Sequence, residues 1–282
     1  VTTQTPLTDA QPPPLTARRR LSPRRRRSLL RTAQYVVLLA AVAAVAGLAD
    51  WHQLQEQFLQ LSVAKRMFPE LLTVALANTV LYTLSGFGVG LVLGLVIALM
   101  RLSSVAPYRW LAALYIEIFR GLPALLIFIF IGVGVPLAFP GVVIPGGAYG
   151  QVAVALGLVA AAYMAETIRA GIQAVPRGQL EAARTLGMSQ GLAMRSIVIP
   201  QAFRIIVPPL TNELVLLFKD SSLVLFLGVS LQTRELTKFG RDLASETANT
   251  TPIFVAGLCY LLVTVPLGFL VRRLEARHAQ AR

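Results

Sequence analysis

Charge is scarce in this chain. Of its 282 residues only 14% are Asp, Glu, Lys or Arg while 55% are hydrophobic, so much of its surface must face something other than water. Cysteine is almost absent. Cys259 stands alone in an apolar run, which excludes an internal disulfide and makes it a packed small hydrophobe. The two histidines, His52 and His278, are isolated, and no His-Glu-x-x-His, paired cysteine or carboxylate cluster at metal spacing occurs; no metal site is expected. A phosphate loop of the form Gly-x4-Gly-Lys-Ser/Thr is missing too, because the glycines at 86, 88, 90, 94, 132 and 134 lie in apolar runs with no Lys after them. The chain is therefore expected to carry no cofactor and to hydrolyse no ATP. An intramembrane enzyme would need paired His or Asp residues on facing spans, and the sequence offers none.

Long apolar runs are what it has instead. Residues Leu72 to Met100 contain no charge and as a helix would run ~43 Å, against a bilayer hydrocarbon core of ~30 Å. A shorter run, 33–49, lies between Arg31 and Asp50. The charge-free stretch between Arg120 and Glu166 is too long for one span, and Pro136, Pro140, Pro145 and Gly146-Gly147 cut it into helices predicted at 111–136 and 149–171. Two more are predicted at 203–227 and from Pro252 to Val271. The expected fold is an all-α membrane protein with six transmembrane helices. Its organisation reads as a basic, disordered tail (1–32), a first span (33–50), a main transmembrane region (72–273) and a short tail (274–282).

Charge bias sets the orientation. With the N-terminus inside, segments 1–32, 101–120, 166–204 and 272–282 face the cytoplasm and hold 20 of the 26 Lys and Arg residues, as the positive-inside rule requires. Both termini are then cytoplasmic, and the net charge of +13 reflects topology. The Arg18 to Arg31 cluster suits anionic lipid, and without interleaved aromatics it does not suggest nucleic acid. An Arg-rich lead, an apolar run and the small-residue end Ala46-Gly47-Leu48-Ala49 could also form a signal peptide. The long polar lead, and an apolar run exceeding the ~7–15 residues of a signal core, favour a retained anchor. Cleavage would leave five spans with the same downstream orientation.

One polar stretch interrupts the apolar pattern: Glu181 to Pro200, E-A-A-R-T-L-G-M-S-Q-G-L-A-M-R-S-I-V-I-P. Glu181, Ala182, Ala183 and Leu186 favour helix, and Gly187 with Ser189 breaks it. The segment is predicted to be a short helix, a turn and a second helix ended near Pro200. Its spacing, Glu-Ala-Ala, three residues, Gly187, nine residues, Ile197, one residue, then Ile199-Pro200 at a Leu-Pro position, resembles the cytoplasmic loop signature of ABC importer permeases. Further runs from Leu72 to Arg273 are similar to the polar amino-acid uptake branch, the histidine, glutamine, glutamate and arginine type. They are Asn78-Thr79-Val80, Glu117-Ile118-Phe119-Arg120-Gly121-Leu122-Pro123, Ala165-Glu166-Thr167-Ile168-Arg169-Ala170-Gly171 and Lys219-Asp220-Ser221-Ser222-Leu223. Leu122 departs from that branch, most of which has Thr there.

The resemblance implies a type I importer membrane subunit in a bacterial inner membrane, a five-helix core over 72–273 preceded by one extra span. It implies a cytoplasmic coupling helix that meets an ATP-binding subunit through Glu181, Ala182, Ala183, Leu186, Gly187, Ile197 and Pro200. The implied partners are two ATP-binding subunits, which carry the ATP and Mg, a second identical or homologous permease, and an extracytoplasmic solute-binding protein that delivers a small polar amino acid. A permease for a related small solute is an alternative. So is an ion-gradient-driven secondary transporter, although that would not need the spaced loop and typically shows repeated halves, which are not detectable here.

Charges inside the apolar runs mark a candidate substrate path. Burying one at the bilayer centre costs on the order of 2.5–3.5 kcal/mol on insertion scales, so such residues face protein or a water-filled path. Glu213 follows Pro208-Pro209 and neighbours Thr211 and Asn212; with Asn78 these are the candidate pathway residues. Glu213 could receive a substrate ammonium, or pair with Lys219 or with a basic residue on another helix. Glu117 with Arg120, and Glu166 with Arg169, have the i, i+3 spacing of structural pairs. Gly86, Gly90 and Gly94 recur every four residues and leave a flat helix face for close packing.

Overall fold

The computed structural model of this protein describes residues 23–279. The lead through residue 22, most of the expected basic tail, lies outside the described residues, as do the last three. The chain divides into two units, residues 1–54 and 55–282. In the first, helix α1 (Pro23–Leu48) begins ten residues before the boundary expected from hydropathy and carries the apolar stretch Leu30–Leu48. Trp51 donates its indole N–H to the Ala46 carbonyl at 2.7 Å, closing the turn after this helix. A short helix, α2 (Trp51–Phe58), follows.

Every regular element among the described residues is helical. The second unit continues with α3 (Leu61–Arg66) and α4 (Leu71–Leu102), then α5 (Ala106–Gly121), α6 (Ala124–Ala138) and α7 (Ala148–Gln173). After these come α8 (Arg177–Thr185), α9 (Gln190–Ala193), α10 (Ile199–Asp220), α11 (Leu236–Thr247) and α12 (Thr251–Ala279). The centre is the α4–α7 pair. A Cβ on Gly86, Gly90 or Gly94 would stand 2.5, 2.8 or 2.9 Å from Cβ of Leu156, Ala160 or Met164, and one on Gly157 would meet Val89 Cγ1 at 2.4 Å. Helices in lipid gain little from burying apolar surface, so close van der Waals contact between small residues takes over that role. The predicted glycine face is a packing face. It leaves α7 the most enclosed span, 67% buried against 33% for α4 and 11% for α12.

Two of the six predicted spans differ. The helix expected over 111–136 is two helices, α5 and α6, bent by 105°. Pro123 is the reason: it forces Leu122 into extended backbone (φ −88°, ψ 141°) and offers no N–H to continue α5. The span expected at 203–227 is α10, which runs unbroken through Pro208 and Pro209 to Asp220, then tightens into a 3-10 turn, Ser221–Leu227, ended by left-handed Gly228 (φ +66°). Among the described residues four helices are long and apolar enough to cross a bilayer, or five if the bent pair counts as one. The 22-residue α10 has the length but is less apolar, since it carries Arg204, Glu213, Lys219 and Asp220.

Candidate functional site

The segment 177–200 is built around one left-handed glycine. Helix α8 ends at Thr185; Gly187 has φ +84°, its N–H reaches the Arg184 carbonyl at 3.0 Å and the Met188 N–H reaches Ala183 at 3.1 Å. That pair of bonds satisfies carbonyls the helix end would leave open, and the glycine conformation makes it possible. Ser189 then caps α9, its hydroxyl accepting from the Leu192 N–H at 3.4 Å. Glu181, Ala182, Gly187 and Pro200 are exposed, and Leu186 stands out at 84% exposure. Ala183 points inward, 2% exposed, and Ile197 is half-buried. So Glu181, Ala182, Leu186 and Gly187 share an open elbow, while Ala183 supports it from beneath.

The second helix does not end near Pro200. Instead α9 passes through a wide π-type turn, Met194–Val198, into α10, with Pro200 in the first turn of that helix. A proline is tolerated there because the first N–H groups of a helix need no partner inside it.

The path residues lie on two helices, Asn78 on α4 and Thr211, Asn212 and Glu213 on α10, and their surroundings differ. Asn78, on α4, is buried and donates through Nδ2 to the carbonyls of Gln232 (2.8 Å) and Arg234 (3.0 Å), while its Oδ1 accepts from the Tyr149 hydroxyl at 2.7 Å. Its hydrogen bonds hold the loop before α11. Thr211 donates to the Val207 carbonyl one turn back at 2.8 Å, and Asn212 is exposed. Glu213 is half-buried and, among the described residues, has no ion pair or hydrogen bond to another side chain. The pair with Lys219 does not form. Six residues along a helix turn a side chain about 240° away, off the same face.

Of the two i, i+3 pairs, one forms. Glu166 receives two bonds from Arg169, at 3.1 and 2.7 Å, and Arg169 also donates to Gln173 at 2.6 Å. Glu117 and Arg120 do not pair; the Arg120 guanidinium lies over the Tyr163 ring instead, 5.5 Å from its centroid.

A clasp around residues 232–236 was not legible in sequence. Besides Asn78, Tyr82 donates its hydroxyl to the Thr233 carbonyl at 2.6 Å, and Thr79 accepts the Leu236 N–H at 3.1 Å. Glu235 is fully buried; its carboxylate caps α11 by accepting from the Thr237 and Lys238 N–H groups, each at 2.6 Å, and takes a third bond from the Tyr260 hydroxyl at 2.9 Å. Burial pushes the Glu235 carboxyl above the ordinary carboxylate range, and these donors pull it part of the way back. Arg234 reaches Glu70 at 2.8 Å and covers the Phe239 ring at 4.5 Å. The cap from Glu235 to Thr237 and Lys238 and the stacking of Arg234 on Phe239 are local, but the bonds from Asn78, Tyr82, Thr79, Glu70 and Tyr260 join residues far apart in the chain, of which local pattern carries no trace.

Comparison with known proteins agrees with this architecture. Residues 90–280 match the family model described as binding-protein-dependent transport system inner membrane component. The arginine transport system permease protein ArgU of Corynebacterium glutamicum is 37% identical over 208 residues, 70% of this chain and 65% of ArgU, so the match spans slightly less than two thirds of that relative. The probable glutamine ABC transporter permease protein GlnM of Bacillus subtilis (strain 168) is 38% identical over 204 residues, 71% of this chain and 89% of GlnM. A solved structure described as an amino acid ABC transporter with histidines superposes with TM-score 0.68 at 37% identity, covering 77% of this chain and 97% of that one. A helical bundle built on a glycine-packed pair, with an exposed polar elbow after its most enclosed span, thus coincides with a match over most of the chain: this protein belongs to the family of inner-membrane permease components of binding-protein-dependent ABC importers.

Proposed function

We propose that the chain is the membrane permease of an ATP-driven importer for a polar or charged amino acid, delivered by an extracytoplasmic binding protein and moved by alternating access. The observation that carries this reading is the elbow at 177–187. It follows α7, the most enclosed span, after only three residues, 174–176, and it presents Leu186 to the outside on a turn whose backbone only glycine adopts readily. A partner gripping Leu186 and Glu181 would pull on the helix against which α4, α5 and α10 pack. Two ATP-binding subunits, with their ATP and Mg, supply the movement; this chain and a second identical or homologous permease convert it into rocking of the spans. Both termini face the cytoplasm in this reading.

Glu213 is the favoured substrate contact. A carboxylate on a helix crossing the bilayer, with no ion pair among the described residues, suits a substrate ammonium in a water-filled path. The first test is uptake in vesicles reconstituted with the ATP-binding subunits. Transport should stop with vanadate or without ATP, and persistence without ATP would remove the ATP-driven assignment. Glu213→Gln should then change the rate or the preference among amino acids, and identical kinetics for every substrate would leave Glu213 idle.

A further inference from the structure

A set of hydrogen bonds fastens the end of α2 and the residues after it to the turn between α11 and α12. Asn249 donates through Nδ2 to the Glu56 carbonyl at 2.8 Å and to Gln60 Oε1 at 2.9 Å. The Gln60 N–H reaches Thr251 Oγ1 at 3.1 Å, and Thr251 donates to the Gln57 carbonyl at 3.4 Å. These bonds hold Phe58 beside α12 as the wall of a groove. The floor is a single helix face, on which Ile253, Phe254, Gly257, Leu258 and Leu261 recur at helical spacing below Thr250. Gly257 keeps the middle open, since a Cβ there would meet nothing within 4 Å. The five large apolar side chains of the groove are 38–56% exposed, so the described chain leaves it uncovered.

Its dimensions select the occupant. From Thr250 to Leu261 the groove runs ~16 Å along α12, about half of a ~30 Å hydrocarbon core. It starts at the first turn of that span, Thr251–Ala276, and is therefore one leaflet deep. A volume of about 370 Å³ spread over this length leaves a mean cross-section of roughly 23 Å². An α-helix with its side chains is ~10–12 Å across, about 80–110 Å² in section, and does not fit. An extended peptide would bring unpaired backbone N–H and C=O groups into lipid. A single methylene chain fits both the section and the depth. No lining residue is charged, so the groove selects a tail and leaves the headgroup free at its outer end.

We infer that the groove between Phe58 and the Ile253–Leu261 face of α12 is a binding site for one acyl chain of a membrane phospholipid, held in place by the bonds between residues 56–60 and 249–251. The test uses the permease assembled with its ATP-binding subunits and carrying a reporter, Phe58→Trp, in a Trp51→Phe, Trp110→Phe background. Detergent micelles holding the complex are titrated with a phospholipid brominated on its acyl chains, which quenches tryptophan on contact. Quenching should saturate. Its midpoint should rise at least about tenfold when Gly257→Phe fills the floor, and likewise when Leu261→Phe narrows the inner end. Gly88→Phe is the control, because that position on α4 is also open at its Cβ; its midpoint should stay within about twofold of the parent. An unchanged midpoint in both groove variants would overturn the proposal, as would an equal rise in the control. In bilayers made wholly of the brominated phospholipid the parent reporter should be quenched; an unquenched reporter there would mean that a protein segment covers the groove, and would overturn the proposal whether or not the variants fold.

Discussion

At the scale of single residues, glycine does two different jobs here. Gly187 is needed for its backbone: φ is +84° and a Cβ there would meet nothing within 4 Å, so substitutions act through strain alone. Gly187→Val should destabilise the elbow by about 1–2 kcal/mol or more, as left-handed backbone costs a Cβ-bearing residue. Uptake should fall at least tenfold at normal membrane insertion, with Gly187→Asn the best tolerated replacement because Asn visits that region. Equal uptake for Val and wild type would show that the turn does not couple. Gly90 and Gly94 are needed for space. Gly90→Ala, with its Cβ 2.8 Å from that of Ala160, should cost on the order of 1–3 kcal/mol by overpacking, read as a lower unfolding temperature in detergent. Gly88 is the control. It lies on the same helix with open space at its Cβ, and Gly88→Ala should leave stability unchanged or slightly improved.

At the scale of elements, the clasp before α11 is held by side chains from α4, α7 and α12. Asn78→Ala would leave the Gln232 and Arg234 carbonyls and the Tyr149 hydroxyl without this partner; about 1–3 kcal/mol is expected for each group left buried and unsatisfied. The loop should then exchange its amide hydrogens faster while α7 remains protected. Glu235 adds a pH dependence. Its folded-state pKa is raised, so the folded form binds the proton more tightly than the unfolded one. The stabilisation from that proton is fully present below the unfolded carboxylate pKa and is lost as pH rises through the folded value. Unfolding in detergent should therefore show stability falling over that interval, and Glu235→Gln should flatten the slope; an unaltered slope would assign it to other groups. The broken span belongs to this scale as well. Pro123 was visible in the sequence, but hydropathy continues through it, and only the packing of α6 away from α5 shows that one apolar run is two helices at 105°.

At the scale of the whole molecule, the lone Cys259 makes topology directly measurable. In a Cys259→Ala background, Gly191→Cys in the loop and Ser245→Cys on α11 occupy exposed positions that lie on opposite sides if α10 crosses the bilayer. A membrane-impermeant maleimide added to intact cells should label the second and not the first, with the pattern reversed in inside-out vesicles. Labelling of both from one side would mean that α10 does not span, and labelling of position 191 from outside would end the coupling reading.

Helix content, the run from Leu72 to Met100, the glycine face of α4, the turn at Gly187 and the family were all legible in the order of residues. Each rests on local periodicity, spacing or the solvation of apolar surface, which need no knowledge of distant neighbours. The inward turn of Ala183, the stacking of Arg120 on Tyr163 in place of a pair with Glu117, the lack of an ion pair to Glu213 among the described residues, and the clasp on Glu235 were decided only in three dimensions. A side chain's partner depends on which helices pack around it, and residues as far apart as Asn78 and Gln232 meet only in the packed bundle.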